Sequence, residues 1–505
     1  MKKFKLLLAA FVATLFAFVG GNAFADGATY SLTIKGTHVG HTYEAYQVFS
    51  GTLASDGKTL SDIQWGNDVK AFKYAGESDA AKIADKLTGQ KEDSDDAKAF
   101  SKLAGANLKI TPAASAESKD GQAVLTVSAP GYYLVKDANA SQKDKYSAYT
   151  RFMMEVAGDV TARVKNDRPT VQKKVKETND STGETTDWQD AADYDINDTV
   201  PFQLKATLPI YIDDYEHYYV EFTDTLSAGL TFDKDTLVVK AGKTNLKEGD
   251  QYNVSKTENK DGTTTLSVII TDVKAVSGIS KDDKEVIVEY NATLNENAVI
   301  GSAGNTNDVE LTYSNNPNAT GDGTSKPADT GKTPKDTVKV FTYQTIINKL
   351  NENNEALKGA GFTLYKKDKD GNWNTVKAIS AGEVTRFEFK GLDAGNYKLE
   401  ETTTPDGYNT IKPIEFTINA EYDVKSDDPQ LTKLSTNVTS GDVKSEDFKS
   451  NLSDGSLTVG IVNRKGSLLP STGGMGTTIL YVVGSILVLV AAVLLITKKR
   501  MDAAK

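Results

Sequence analysis

YKLEETTTPDGY, residues Tyr397–Tyr408, decides how this chain is read. With the two-residue period of a strand, Tyr397, Leu399 and Glu401 share one face. A carboxyl therefore stands in line with two residues that belong in a core. Two other runs repeat the anomaly: Thr345, Ile347 and Lys349 share a face, and so do Leu457, Val459, Ile461 and Asn463. A lysine, a glutamate and an asparagine thus point inward, one from each strand. An unpaired buried charge is costly, but together these groups can react. Desolvation lowers the amine pKa and raises that of the carboxyl, by as much as about 3–5 pH units at full burial. The neutral amine is a nucleophile, and protonated Glu401 polarises the carboxamide and shuttles protons as ammonia leaves. The product, a Lys349–Asn463 isopeptide bond, leaves no buried charge.

Local sequence supports this reading. Tyr397–Tyr408 resembles the E-box of Gram-positive pilins, YxLxETxAPxGY, with Thr404 where the pattern has Ala. LKGAGFTLY (Leu357–Tyr365) is similar to the LxGAxFxL strand pair of Cna B-type domains. The resemblance implies that Lys349, Glu401 and Asn463 form the family's autocatalytic cross-link. It also implies that Glu401, not its neighbour Glu400, is the promoting carboxyl.

The same arithmetic finds a second set in residues 167–320. Val171, Lys173 and Val175 share a face, with Lys174 and Lys176 on the other. Tyr218, Val220, Phe222 and Asp224 share one, as do Val309, Leu311, Tyr313 and Asn315. FTDTLSAGLTF (Phe222–Phe232) and LTYSNNP (Leu311–Pro317) resemble strands of pilin Cna A-type domains, which use aspartate. The expectation is that Asp224 promotes a bond between Lys173 and Asn315. Lys174 and Asn316 stay open as one-residue alternatives. No equivalent set is apparent in residues 26–166.

Composition narrows the function. The chain has 505 residues, Lys+Arg 58 against Asp+Glu 69, a net charge of −11, no Cys and 3 His. The acid excess argues against nucleic acid as a partner. Without cysteine there are no disulfides, thiolate nucleophiles or zinc ribbons, and so few histidines leave little for a metal cage, so neither metal nor cofactor is expected. No Ser-His-Asp arrangement or HExxH motif suggests a hydrolase. The only chemistry expected is the autocatalytic condensation.

The length predicts several domains. Short alternating runs such as Tyr218–Asp224, Thr264–Ile270, Glu285–Thr293, Phe362–Tyr365 and Leu457–Asn463 predict an all-β chain of tandem immunoglobulin-like (Cna-type) β-sandwiches. Helix-like spacing over Asp68–Leu87 and Asp95–Leu103 adds helices to the first. The expected divisions are a signal peptide at 1–25, domains at 26–166, 167–320 and 336–465 with a linker at 321–335, and a sorting region at 469–505.

Both ends read as addresses. Lys2, Lys3 and Lys5, the apolar run Phe4–Val19 and Ala23-Phe24-Ala25 form a secretory signal peptide. Near the C-terminus, Leu469-Pro470-Ser471-Thr472-Gly473 precedes the apolar run Ile479–Ile496 and Lys498-Lys499-Arg500, long enough to span a bilayer with a basic cytoplasmic tail. This order resembles the LPxTG sorting signal of Gram-positive surface proteins, which implies sortase cleavage between Thr472 and Gly473 and anchorage to peptidoglycan. VTARVKN (Val160–Asn166) resembles the pilin motif WxxxVxVYPKN and offers Lys165 as the acceptor amine. Joining Thr472 of one subunit to Lys165 of the next is head-to-tail and non-closing, which gives an open filament. The resemblance implies a secreted shaft subunit of a cell-surface pilus, with sortase, identical subunits and ancillary pilins as partners. The runner-up is a wall-anchored adhesin or ancillary pilin that binds a ligand on a host surface.

Overall fold

A computed structural model describes residues 28–91, 94–141, 147–164, 167–276, 279–280, 282–466 and 475–502. The signal peptide, Lys165 with Asn166, and the sorting pentapeptide Leu469–Gly473 lie outside the described residues. Described strands fall into pairs of facing sheets, three times along the chain.

In the first region, Tyr30–Lys35 pairs antiparallel with Gln122–Val127 and parallel with Val160–Arg163. The facing sheet runs Leu60–Trp65, Thr42–Leu53, Gly131–Asp137, Arg151–Val156. Gln122–Val127 shows the expected alternation of exposed and buried residues, and its buried Leu125 and Val127 join Leu32, Ile34, Tyr133 and Val135 in one core. Two helices, Ala80–Leu87 and Asp95–Ala106, add Ile83, Phe100 and Ala104 to a second apolar cluster around Phe49 and Leu134. The first helix starts at Ala80, not Asp68, because the Asp79 side chain accepts from the Lys82 N–H and caps the N-terminus there. Asp68 instead accepts from the backbone of Gln47.

The middle region is a larger sandwich. One sheet has the order Thr244–Asn245, Leu230–Ala241, Glu285–Leu294, Thr199–Thr207, Thr170–Val175. Its partner runs Ala191–Asp193, Asp336–Phe341, Asn305–Ser314, Val220–Leu226, Thr264–Ile270, Asn253–Glu258, with Thr330–Lys332 added beside the end of Asn305–Ser314. Two boundaries differ from expectation. The stretch 321–335 contains a paired strand, Thr330–Lys332. Asp336–Phe341 belongs to the middle sheet, with Asn305 opposite Val340 and Val309 opposite Asp336. The reason is where the side chains go: Val338 and Val340 fill the middle core, whereas Phe341 and Tyr343 fill the next.

The third sandwich therefore opens at Tyr343. Its sheets are Arg386–Leu392, Tyr343–Leu350, Ser456–Val462, Lys449–Asn451, and Trp373–Ile379, Gly361–Lys367, Gly395–Thr403, Ile414–Tyr422, Leu431–Ser440. Its first and last core strands, Tyr343–Leu350 and Ser456–Val462, lie side by side and parallel. Close packing joins it to the middle domain. Gly301, at φ 95°, sits so near Gly455 that a Cβ would meet its nitrogen at 2.5 Å. Beyond the sandwiches, Met475–Asp502 is one helix whose stretch Thr478–Met501 is long and apolar enough to cross a membrane.

Candidate functional site

The three residues read from the third domain meet at one buried point. Lys349 and Asn463 are 0% and 1% exposed, and Glu401 is 8% exposed. Parallel pairing sets Lys349 opposite Ile461, and the Asn463 N–H donates to the Leu350 carbonyl at 3.0 Å, so both side chains emerge at the same end of adjacent strands. Lys349 Nζ donates to Asn463 Oδ1 and, at 3.1 Å, to the Ile461 carbonyl. Asn463 Nδ2 donates to both Glu401 oxygens, at 2.9 and 3.0 Å, and Glu401 Oε1 lies 3.6 Å from Lys349 Nζ. Glu401 Oε2 also accepts from the Ile411 N–H at 3.1 Å and from the Thr404 hydroxyl at 3.3 Å. Burial pushes the Lys349 amine down to about 8, against the opposing pull of Glu401. Glu400, on the other face, pairs with Lys398 at 2.7 Å.

In the middle domain the structure brings together two of the three expected residues. Lys173 and Asp224 are both 0% exposed, and Lys173 Nζ donates to Asp224 Oδ1. Burial lowers the amine and raises the carboxyl, both in the direction of a neutral pair. Lys174 points away and pairs with the buried Asp190.

Asn315 is not at this point. Asp224 is opposite Val309, and Asn315 is six residues further on, about 20 Å along a strand. It faces the first domain, where its Nδ2 donates to the Ser147 carbonyl at 3.4 Å and its own carbonyl accepts from Tyr149. Asn316 is likewise elsewhere, bonded to Asp329 at 2.9 Å. The asparagine beside the pair is Asn307, opposite Leu226 and 0% exposed. Its Nδ2 donates at 2.8 Å to the Tyr290 hydroxyl, to which Lys173 Nζ also donates at 3.3 Å. Asn307 Oδ1 is buried with no hydrogen-bond partner among the described residues. Asn307 has the same parity as Asn315, so the expected face is right and the place along it is not. The signal for it is Asn305-Thr306-Asn307, two carboxamides on the inward face at the start of the strand. Both are 0% exposed, and a buried carboxamide needs a reason.

The second and third sandwiches overlap stretches that match family models of Gram-positive pilins. Residues 196–317 match the family model for Gram-positive pilin backbone subunit 2, Cna-B-like domain, and residues 344–430 match that for a SpaA prealbumin-like fold domain. The region compared above with Cna A-type domains is thus described as Cna-B-like. Among individual proteins, the chain is 26% identical over 396 residues to the trypsin-resistant surface T6 protein of Streptococcus pyogenes serotype M6, covering 67% of this chain and 70% of that one. The solved T6 backbone pilin of the same organism, described as a modular three-domain structure, superposes with a TM-score of 0.54 at 18% identity, covering 88% of this chain and all of the other. The full-length major pilin SpaD of Corynebacterium diphtheriae aligns at 19% identity over 89% of this chain and 99% of its own, with a TM-score of 0.44. That last likeness carries no weight.

Proposed function

We propose that this chain is the shaft subunit of a covalently polymerised pilus, stiffened by intramolecular isopeptide bonds in its second and third domains. The observation that carries this reading is the contact of Lys349, Glu401 and Asn463 at the junction of the first and last strands. Lys349 Nζ attacks Cγ of Asn463. Glu401 takes a proton from the attacking nitrogen and delivers one to Nδ2, the Cγ–Nδ2 bond breaks, and ammonia leaves. Removing the amine charge from the core favours the product. In the middle domain Lys173 condenses with Asn307, with Asp224 as the carboxyl beside the amine.

The positions of these bonds give them a mechanical meaning. Tension entering at Thr170 crosses from Lys173 to Asn307, and later from Lys349 to Asn463. Residues 174–306 and 350–462 then stand outside the load path. The bonds close loops of 307 − 173 = 134 and 463 − 349 = 114 residues. By the chain-entropy argument used for disulfides, each is worth on the order of 4–5 kcal/mol, in a chain without cysteine.

Polymerisation by sortase joins Thr472 of one subunit to Lys165 of the next, and the terminal subunit passes to peptidoglycan. The T6 relative, described as a backbone pilin, supports this role. Lys165→Ala, expressed with the pilus sortase, is expected to abolish the detergent-resistant ladder of polymers. A persisting ladder moves the acceptor to another lysine, and no ladder from the unaltered chain removes the shaft function.

A further inference from the structure

Two buried clusters face one chemical task with carboxyls of different length. Glu401 reaches the leaving nitrogen of Asn463 directly, with both oxygens. Asp224, one methylene shorter, spends Oδ1 on Lys173 Nζ and Oδ2 on the Tyr290 hydroxyl. The contact with the carboxamide nitrogen is made by that hydroxyl, which accepts from Asn307 Nδ2 at 2.8 Å. An unbroken line of hydrogen bonds thus runs from nucleophile to leaving group: Lys173 Nζ, Asp224, Tyr290, Asn307 Nδ2.

Tyr290 is placed to stay there. It lies in Glu285–Leu294, on the sheet opposite Asp224 and Asn307, and is 2% exposed. Its ring packs against Phe202 and Phe232, with centroids 5.6 and 5.3 Å away. Burial and the neighbouring carboxyl raise its pKa well above that of an ordinary phenol, so it is a neutral O–H able to give and take a proton at once.

We propose that Tyr290 is a catalytic residue of the middle-domain condensation, relaying the proton from Asp224 to the departing nitrogen of Asn307. This rests on the reading that Lys173 and Asn307 condense. In the reacting state the amine is neutral and its proton is on Asp224. The Nζ–Cγ bond forms, and the carbonyl π pair moves to Oδ1. Nδ2, until then an amide nitrogen without basic character, becomes an amine with a free pair, and its hydrogen bond to Tyr290 reverses. The phenol gives its proton to Nδ2 and takes the one held by Asp224. Asp224 then removes a proton from Nζ, the pair on Oδ1 returns, the Cγ–Nδ2 bond breaks and ammonia departs. Asp224 and Tyr290 end as they began, and no further reactant is needed. The third domain needs no such relay.

The test follows formation of each bond over time by intact mass and peptide mapping, in full mature chain made by cell-free synthesis. The Lys349–Asn463 bond of the same molecule is the internal clock. Tyr290→Phe is expected to make that bond at the unaltered rate and the Lys173–Asn307 bond on the order of 100-fold more slowly. Site-specific Tyr290→3,5-difluorotyrosine keeps the ring, the hydroxyl and its bonds while making the phenol more acidic. It is expected to shift the pH profile of middle-bond formation and leave the third-domain profile in place, which decides the matter should the Phe variant fail to fold. A middle bond formed at the normal rate in Tyr290→Phe, or an unshifted profile in the fluorinated chain, overturns the relay. Absence of the Lys173–Asn307 peptide from the unaltered chain overturns instead the cross-linking reading beneath it.

Discussion

Asn307 and Asn315 lie on the same inward face of one stretch of chain, yet only Asn307 meets the groups that surround Lys173. Parity assigns a face, and only the neighbouring strand assigns a place along it. Val220–Leu226 sets that register by holding Asp224 opposite Val309. Asn307→Ala is therefore expected to abolish the middle-domain ammonia loss in intact mass, whereas Asn315→Ala retains it; the reverse pattern sinks the assignment. Lys349, Glu401, Asn463, Lys173 and Asp224 were legible in the sequence because each is a polar group in line with apolar residues, an arrangement that burial must explain. Tyr290 was not, because a tyrosine among Val286, Val288 and Ala292 looks like any core aromatic. Its role comes from what its hydroxyl touches across the sandwich.

Among elements, the same contrast separates what alternation reveals from what it hides. The strands Val220–Leu226, Thr264–Ile270 and Glu285–Leu294 bury every second residue as the pattern requires. Thr330–Lys332 carries no such pattern and sits in a stretch rich in Gly, Pro, Asp and Thr. It is a strand because Thr312–Ser314 offers it a ladder, a tertiary effect that outweighs local propensity. In Asp336–Phe341, Val338 and Val340 flank Lys339, but that short pattern does not say which of two sandwiches receives them. In the third domain the parallel pairing of Tyr343–Leu350 with Ser456–Val462 puts Lys349 and Asn463 near the exit of both strands. The proposed cross-link at that point would relieve nearly the whole domain of load.

For the whole molecule, the joint between the middle and third domains concentrates charge. Lys366 of the third domain pairs with Asp180 and Asp195 of the middle one, at 2.9 and 2.6 Å, and with Asp393 of its own at 2.7 Å. Despite burial, these carboxylates raise the lysine pKa, with Asp393 and Asp195 foremost. Acid is in excess around them. Burial, helped by neighbouring carboxylates, holds Asp198 and Glu177 up at about 7, and burial holds Asp193 at about 6. A carboxyl whose folded pKa lies above its unfolded value binds more protons in the folded state. Its contribution to stability is full below the unfolded value, about 4, and is lost as pH rises through the folded one. Thermal unfolding of this domain pair is thus expected at a higher temperature at about pH 5 than at about pH 7. Glu177→Gln with Asp198→Asn is expected to raise the neutral midpoint and flatten the dependence. Midpoints that do not move with pH in the unaltered chain contradict the assignment. Arg151 ties the first domain to the middle one differently, donating to the Pro317 and Asp214 carbonyls at 2.9 and 3.0 Å.

The claim on which the load path depends is that two amines and two carboxamides have become two amides. Intact mass of the mature chain, followed by peptide mapping, measures this directly. The account predicts a deficit of two ammonia molecules and two branched peptides, one joining Lys173 to Asn307 and the other Lys349 to Asn463. A chain at its full sequence mass, with all four residues recovered in linear peptides, contradicts it.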